Sequence, residues 1–206
     1  MKLFLGLVCA AAAFAQTAPR VVYTKSFPGS TPAYVSIIVD RTGAVTYKED
    51  PKDDDPEKFQ IEAQTASLIF DLADKLDHFK RPVESGLKVA NMGAKTFRYE
   101  DGAAASEAKF NYSTDMNAQA LQGWFETITE SERAFLNLRL TIKHDKLGVH
   151  QSLMNIEALW TQNRLVSSVQ FLPLFDRVYK DETYLNIARE RAKNLADAVR
   201  KKDKAE

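Results

Sequence analysis

A helical repeat of apolar residues fills the last third of the chain, from Ser131 to about Lys201. In its first part these residues are spaced by three, four or seven positions, which places them on one face of a helix. They are Phe135, Leu138, Ile142, Val149, Leu153, Ile156 and Trp160. Four neighbours are predicted to widen this buried stripe, namely Leu136, Leu140, Leu147 and Met154. Polar side chains such as Glu132 are expected on the solvent side of the helix.

A second apolar stripe with helical spacing follows the first. Its members are Phe171, Phe175, Val178, Leu185, Ala188, Ala192, Leu195 and Val199. Gly148 costs about 1 kcal/mol relative to Ala in a helix, so we expect the first stripe to bend or break there. The polar residues 161–168 predict a turn, and Pro173 suits the first turn of the second helix. The region is predicted to be an antiparallel helical hairpin or, with each stripe broken, a short bundle of four helices.

These stripes can be buried in two ways. The helices can pack within one chain, or two chains can form a dimer through a coiled-coil seam. The first stripe is interrupted at Asp145 and is wider than a strict seam, so packing within one chain is favoured. The oligomeric state is not predicted.

The N-terminus has the features of a secretory signal peptide. Lys2 precedes an apolar run that ends at Phe14, and the small residues Ala13 and Ala15 supply a cleavage pattern. We predict a signal peptide over residues 1–15, cleavage after Ala15, and a secreted or periplasmic protein without a transmembrane span. Cys9 is the only cysteine, so the cleaved chain is predicted to have no disulfide and no Cys-ligated metal.

The charges of the chain balance, with 28 basic and 28 acidic side chains. A neutral chain has no overall field that attracts nucleic acid or an anionic membrane. We therefore predict no nucleic-acid partner. Another envelope protein or a peptide is the partner class that we expect.

Residues 16–129 are predicted to form an α+β domain, and residues 130–206 the helical region. The alternation of apolar and polar residues and the turn signals predict strands over residues 21–24, 33–40, 44–48, 59–61, 95–99 and 109–112. Helical spacing and a cap at Asp115 predict helices over residues 62–77 and 115–128. Short turns join neighbouring strands, which predicts a small antiparallel sheet with helices packed on one face.

Aromatic residues suggest how the second hairpin is paired. Phe97 and Tyr99 are predicted to face Phe110 and Tyr112 across the strands. The strand tyrosines are Tyr23, Tyr34, Tyr47, Tyr99 and Tyr112. They are predicted to cover a half-buried sheet, and a ligand-binding aromatic face is the alternative.

The segment from Phe27 to Tyr47 reads FPGSTPAYVSIIVDRTGAVTY and has a hairpin pattern. It resembles the opening hairpin of an uncharacterised domain of secreted bacterial proteins, a domain of unknown function. In that domain a helix, a second hairpin and a final helix follow, and the resemblance covers residues 20–129. It implies this fold and an envelope location, and it implies no activity. Members often carry a Cys in the first loop, and this chain has none there.

The acidic loop from Asp50 to Glu57 is the best candidate for binding a hard cation, because carboxylates at alternating positions supply oxygen ligands. Lys52 and Lys58 offset its charge, and the Gly and distal Glu of a helix-loop-helix calcium site are missing, so a solvated loop is favoured. No histidine pair has zinc-binding spacing, and no nucleophile elbow or phosphate loop is present in the sequence. We predict no catalytic residue, metal ligand or cofactor, and the ligand-binding residues stay unknown.

Strong packing patterns without a reactive motif favour a non-catalytic binding protein of unknown ligand. The alternative is a carboxylate-dependent periplasmic hydrolase, with or without calcium. Converging carboxylates with raised pKa values in one pocket would favour that alternative.

Overall fold

The computed structural model of the protein describes residues 18–204. The predicted signal peptide and its cleavage site after Ala15 lie outside these residues. No helix in the described range is long and apolar enough to cross a bilayer.

Six strands form one antiparallel sheet in the order β4-β3-β2-β1-β5-β6. Their bounds are β1 Arg20–Ser26, β2 Tyr34–Asp40, β3 Ala44–Lys48, β4 Glu57–Gln60, β5 Ala94–Asp101 and β6 Ala104–Phe110. Helices bury one face of the sheet, and the side chains of alternate strand residues lie on that face. The predicted α+β class with C-terminal helices is confirmed.

The turn between β2 and β3 shows why the first hairpin could be predicted. The Asp40 carboxylate accepts hydrogen bonds from the backbone N–H groups of Thr42 and Ala44 at 2.8 and 3.0 Å. Gly43 follows at φ +86°, a conformation that glycine adopts without strain. A Cβ atom there would lie 2.7 Å from the carbonyl oxygen of Ile61, so the position also requires a residue without a side chain.

The predicted register of the second hairpin is wrong. Phe97 lies opposite Ala108 and Tyr99 lies opposite Ser106, whereas Phe110 pairs with Lys95. The cause is a tight turn around Gly102, which lets β5 and β6 pair up to Asp101 and Ala104. The segment that enters β6 is rich in alanine, which has a low strand propensity and gave no strand signal.

Five helices complete the fold: α1 Ala63–Lys75, α2 Met116–His144, α3 Val149–Thr161, α4 Leu172–Lys180 and α5 Asn186–Asp203. The predicted end of a helix at residue 128 is wrong, because α2 runs without interruption for 29 residues. Asp115 caps α2 as predicted, with its carboxylate accepting from the N–H groups of Asn117 and Ala118. Residues 129–131 contain neither Gly nor Pro, so nothing in them ends the helix.

The C-terminal region contains a series of shorter helices. The expected break near Gly148 is confirmed, since α2 ends at His144 and α3 begins at Val149. Pro173 lies in the first turn of α4, as predicted. Of the four residues expected to widen the first stripe, Leu140, Leu147 and Met154 are exposed, so that expectation is wrong for them.

The buried apolar residues form two clusters that meet along α2. The first cluster fills the space between the sheet, α1 and the first half of α2, and its last member on α2 is Ile128. The second cluster begins at Leu138 and packs α2 against α3, α4 and α5. Seven of the eight residues in the second predicted stripe belong to this second cluster, and Leu185 is exposed before α5.

Candidate functional site

A groove lies between the β1–β2 loop, α2 and α3, and we call it the α2–α3 groove. Its volume is about 650 Å³, within the range of about 300–1,000 Å³ that is usual for ligand pockets. Tyr23 and Lys25 of β1 contribute to it from the sheet, and Thr31 and Pro32 contribute from the loop. The groove therefore lies toward the end of β1, between the β1–β2 loop and the two helices.

Tyr23 is buried at this end of the sheet and has an unused polar group. The side chain is 1% exposed, and its ring stacks on Phe125 with centroids 4.9 Å apart. Its hydroxyl is buried and has no hydrogen-bond partner among residues 18–204. Burial and the nearby charge of Glu126 raise the pKa of Tyr23, so at neutral pH the group is a protonated donor.

Lys25 lies two residues further along β1, on the same face as Tyr23. Its direct neighbour on β5 is Lys95, whose ammonium donates to the carbonyl oxygens of Asn111 and Met92 at 2.7 and 3.1 Å. Burial and the charge of Lys25 lower the pKa of Lys95. Among residues 18–204, Lys25 has no hydrogen bond or ion pair, so its ammonium is not matched by a carboxylate. The positive charge of Lys95 on the neighbouring strand repels it.

The wall formed by α2 presents side chains at a helical spacing of three or four residues. These are Glu126, Glu130, Arg133 and Asn137. The Gln122 amide donates to Glu126 at 2.7 Å, and the Arg164 guanidinium donates to Glu130 at 2.7 Å. The two carboxylates of the groove are therefore already bound by partners of the chain.

Arg133 fixes the loop that forms the opposite wall. Its guanidinium donates to the backbone oxygen of Thr31 at 2.8 Å and pairs with Glu49 at 3.1 Å. The hydroxyl of Tyr47 donates to the same Glu49 carboxylate at 2.6 Å. This series of contacts holds the β1–β2 loop against α2 and so sets the width of the groove.

The α3 residues that line the groove are uncharged. They are Ser152 and Asn155, together with the small residue Ala158 and the apolar Leu159. Asn137 of α2 donates to the Ser152 hydroxyl at 3.1 Å across the groove. Amides and hydroxyls both donate and accept hydrogen bonds, so these walls suit a ligand with mixed polar groups.

A second, smaller cavity of about 420 Å³ lies on the other side of α2 and contains Glu132. Glu132 is 1% exposed, so the expectation that it faces solvent is wrong. Burial raises its pKa to about 7, against a hydrogen bond donated by Gln170 at 3.1 Å. Glu57 raises this pKa further and Arg139 lowers it, and these two residues are themselves paired.

The acidic loop is arranged as a series of local turns. The Asp50 and Asp53 carboxylates accept from the N–H groups of Lys52 and Asp55 at 2.9 and 3.0 Å. Glu57, at the end of the loop, is bound by Arg139. Across residues 18–204, no three His, Cys, Asp or Glu side chains are grouped so that they could hold a metal ion.

The strand tyrosines do not share one face. Tyr23, Tyr47 and Tyr99 are buried beneath the helices, and Tyr34 lies on the other side of the sheet. Tyr112 lies beyond the end of β6, so its assignment to a strand is wrong. The spacing of residues on α2 could have revealed Glu132, because it follows Ile128 by four positions and precedes Phe135 by three.

Comparisons with known proteins find no matching family, no similar characterised protein and no similar solved structure.

Proposed function

We propose that this chain is a secreted or periplasmic protein that binds a short peptide in the α2–α3 groove and catalyses no reaction. The observation that carries this proposal is the buried, unpartnered hydroxyl of Tyr23 at the edge of a ligand-sized groove. Leaving such a group unpaired costs about 1–3 kcal/mol. A ligand that accepts its hydrogen bond recovers this cost.

The lining of the groove favours a peptide over a purely apolar ligand. Asn137 and Asn155 present amides from two different helices. Asn137 donates to Ser152 and Asn155 accepts from Gln151, which leaves the oxygen of Asn137 and the amino group of Asn155 for the N–H and the C=O of a peptide backbone. Val35, Ala134 and Leu159 lie among them and offer apolar contacts for side chains. The combination of backbone hydrogen bonds and apolar contacts is typical of peptide recognition.

The state of the charged groups favours binding over catalysis. Gln122 and Arg164 each donate to one carboxylate oxygen, on Glu126 and Glu130 respectively, so both carboxylates already have a partner in the chain. Arg133 holds the loop in place through Glu49. The N-terminal apolar run and its cleavage pattern support the envelope location.

Peptide binding can be tested by nuclear magnetic resonance on the isotopically labelled protein with a library of short synthetic peptides. We expect shifts at Tyr23 and along the facing sides of α2 and α3. Ala158 is an exposed lining residue, and Ala158→Trp should obstruct the groove without entering the core. Ala120→Trp is the matched control, because Ala120 is exposed on α2 outside the groove. Equal binding by the two variants, or no shifts with any peptide, would refute the proposal.

The buried carboxyl of Glu132 favours one alternative, a carboxylate-dependent hydrolase with or without calcium. A group with a pKa of about 7 is suited to general acid or base catalysis near neutral pH. The test is hydrolysis of a panel of ester, glycoside and peptide substrates, with calcium and with a chelator. Turnover that is lost in Glu132→Gln and kept in Glu182→Gln, a change at an exposed acid, would support the hydrolase.

A further inference from the structure

Two unmatched donors lie side by side in the α2–α3 groove. The Tyr23 hydroxyl is buried without a partner, and the Lys25 ammonium has neither a hydrogen bond nor an ion pair in the part of the chain that is described. The residues are two apart on β1, so both side chains lie on the face of the sheet that borders the groove. A group that accepts hydrogen bonds from both is the ligand feature that would satisfy them.

The local charge favours an acceptor with a negative charge. Lys25 and Lys95 are directly opposite on neighbouring strands, and like charges in such positions repel each other. The carboxylates of Glu126 and Glu84 both raise the pKa of Lys95. Glu126 borders the groove and accepts from Gln122 through one oxygen, whereas Glu84 borders another cavity and accepts from the N–H of Asn111. Lys25 is therefore the lysine that borders the groove, and among residues 18–204 no carboxylate pairs with it, so an anion in the groove can match its charge.

We infer that the Tyr23–Lys25 pair receives a carboxylate of the peptide, either its C-terminus or the side chain of an Asp or Glu. This inference rests on the proposed peptide binding and adds the chemistry of one end of the ligand. The carboxylate accepts one hydrogen bond from the neutral hydroxyl and one from the ammonium. Charge-assisted hydrogen bonds of this kind are stronger than those between neutral groups.

If the Tyr23 hydroxyl serves to bind a ligand, its removal should weaken binding without lowering the stability of the unliganded protein. Tyr23→Phe removes a buried hydroxyl that has no partner, so the unliganded variant should be at least as stable as the parent. The same change should weaken peptide binding about threefold to tenfold, because a neutral hydrogen bond to the ligand is lost. Tyr34→Phe is the control on the opposite face of the sheet and should change neither property.

Lys25 gives the sharper test. We expect Lys25→Gln to raise the dissociation constant of a carboxylate-bearing peptide about tenfold or more. Lys25→Arg, which keeps the charge, should restore most of the affinity. Lys88→Gln removes a charge from an exposed loop residue and should leave binding unchanged.

The source of the carboxylate is resolved with three versions of one peptide from the library that binds the parent protein. The first has a free C-terminus and no acidic side chain, the second is the same peptide with an amidated C-terminus, and the third is amidated and carries an Asp. If the amidated peptide no longer binds, the C-terminal carboxylate is the group that the site receives. If the amidated peptide that carries Asp then binds, a side-chain carboxylate can occupy the same site. Either result supports the inference when Lys25→Gln abolishes the difference.

Two results would contradict the inference, and they are distinct. Equal binding of all three peptides, or unchanged binding by Lys25→Gln, would overturn the carboxylate site and leave peptide binding in place. An absence of peptide binding to the parent protein would overturn the proposed function itself and the carboxylate site with it.

Discussion

Replacing Glu132 by Gln tests whether the buried carboxyl is held in its neutral form. Burial raises the pKa of Glu132 from the ordinary value of 4.5 to about 7. Since a tenfold change in proton affinity is worth about 1.4 kcal/mol, this difference corresponds to about 3 kcal/mol of pH-dependent stability. An amide has the shape of the protonated carboxyl and does not ionise, so Glu132→Gln should remove this dependence.

The direction of the effect follows from which state keeps the proton. Between pH 4.5 and about pH 7 the folded protein retains the proton on Glu132, whereas the unfolded chain releases it. Stability therefore falls as the pH rises through this window. The contribution of the neutral carboxyl is fully present below pH 4.5 and is lost once the pH has passed about 7.

Urea denaturation at about pH 5 and about pH 8 measures the effect as a change in the free energy of unfolding. We expect Glu132→Gln to match the parent at the lower pH and to exceed it by up to about 3 kcal/mol at the higher pH. Glu182→Gln removes an exposed carboxyl and should follow the parent at both values. If Glu132→Gln is less stable than the parent at the higher pH, the carboxylate is a stabilising ion and our reasoning is wrong.

Three further predictions concern stability and use the same denaturation assay. Gly43→Ala should destabilise the protein by about 1–3 kcal/mol, because φ is positive there and a Cβ would lie 2.7 Å from a backbone oxygen. Gly123→Ala should instead stabilise it by about 0.5–1 kcal/mol, because Gly123 lies on α2 with no atom within 4 Å of the added Cβ. Asp115→Ala removes the cap of α2 and should cost about 1 kcal/mol, with Asp115→Asn recovering most of it. Phe171→Ala empties the centre of the helical core and should cost about 3–5 kcal/mol; a cost below about 1 kcal/mol would contradict the packing described here.

Local sequence patterns predicted the parts of the fold that depend on local structure. Strict alternation and a Thr-Gly turn predicted β2 and β3, and the spacing of apolar residues predicted α1 and the stripe of α5. The β6 strand was misplaced because its alanines carry no strand preference and its register is set by the turn at Gly102. The predicted end at residue 128 is wrong because α2 passes from one core to the other without interruption, with Ile128 in the first core and Leu138 in the second.

The candidate site was much harder to predict from sequence. The α2–α3 groove is built from residues near 25, 130 and 155, which no local motif connects. Tyr23 was assigned to the sheet correctly, but its missing hydrogen bond depends on Phe125 and on the position of the helix above it. Lys25 follows the alternation of a strand, so the sequence does not distinguish it from other strand residues. The strand register shows that its direct neighbour is another lysine, Lys95, and not a carboxylate.

The continuity of α2 has a consequence for dividing this protein into fragments. The predicted division between residues 129 and 130 falls inside a helix of 29 residues. A cut there would leave about four N–H and four C=O groups without their intrahelical partners, and it would separate Ile128 from Leu138, which belong to different cores. Both cores should therefore melt in one transition, and neither half should fold when it is expressed alone.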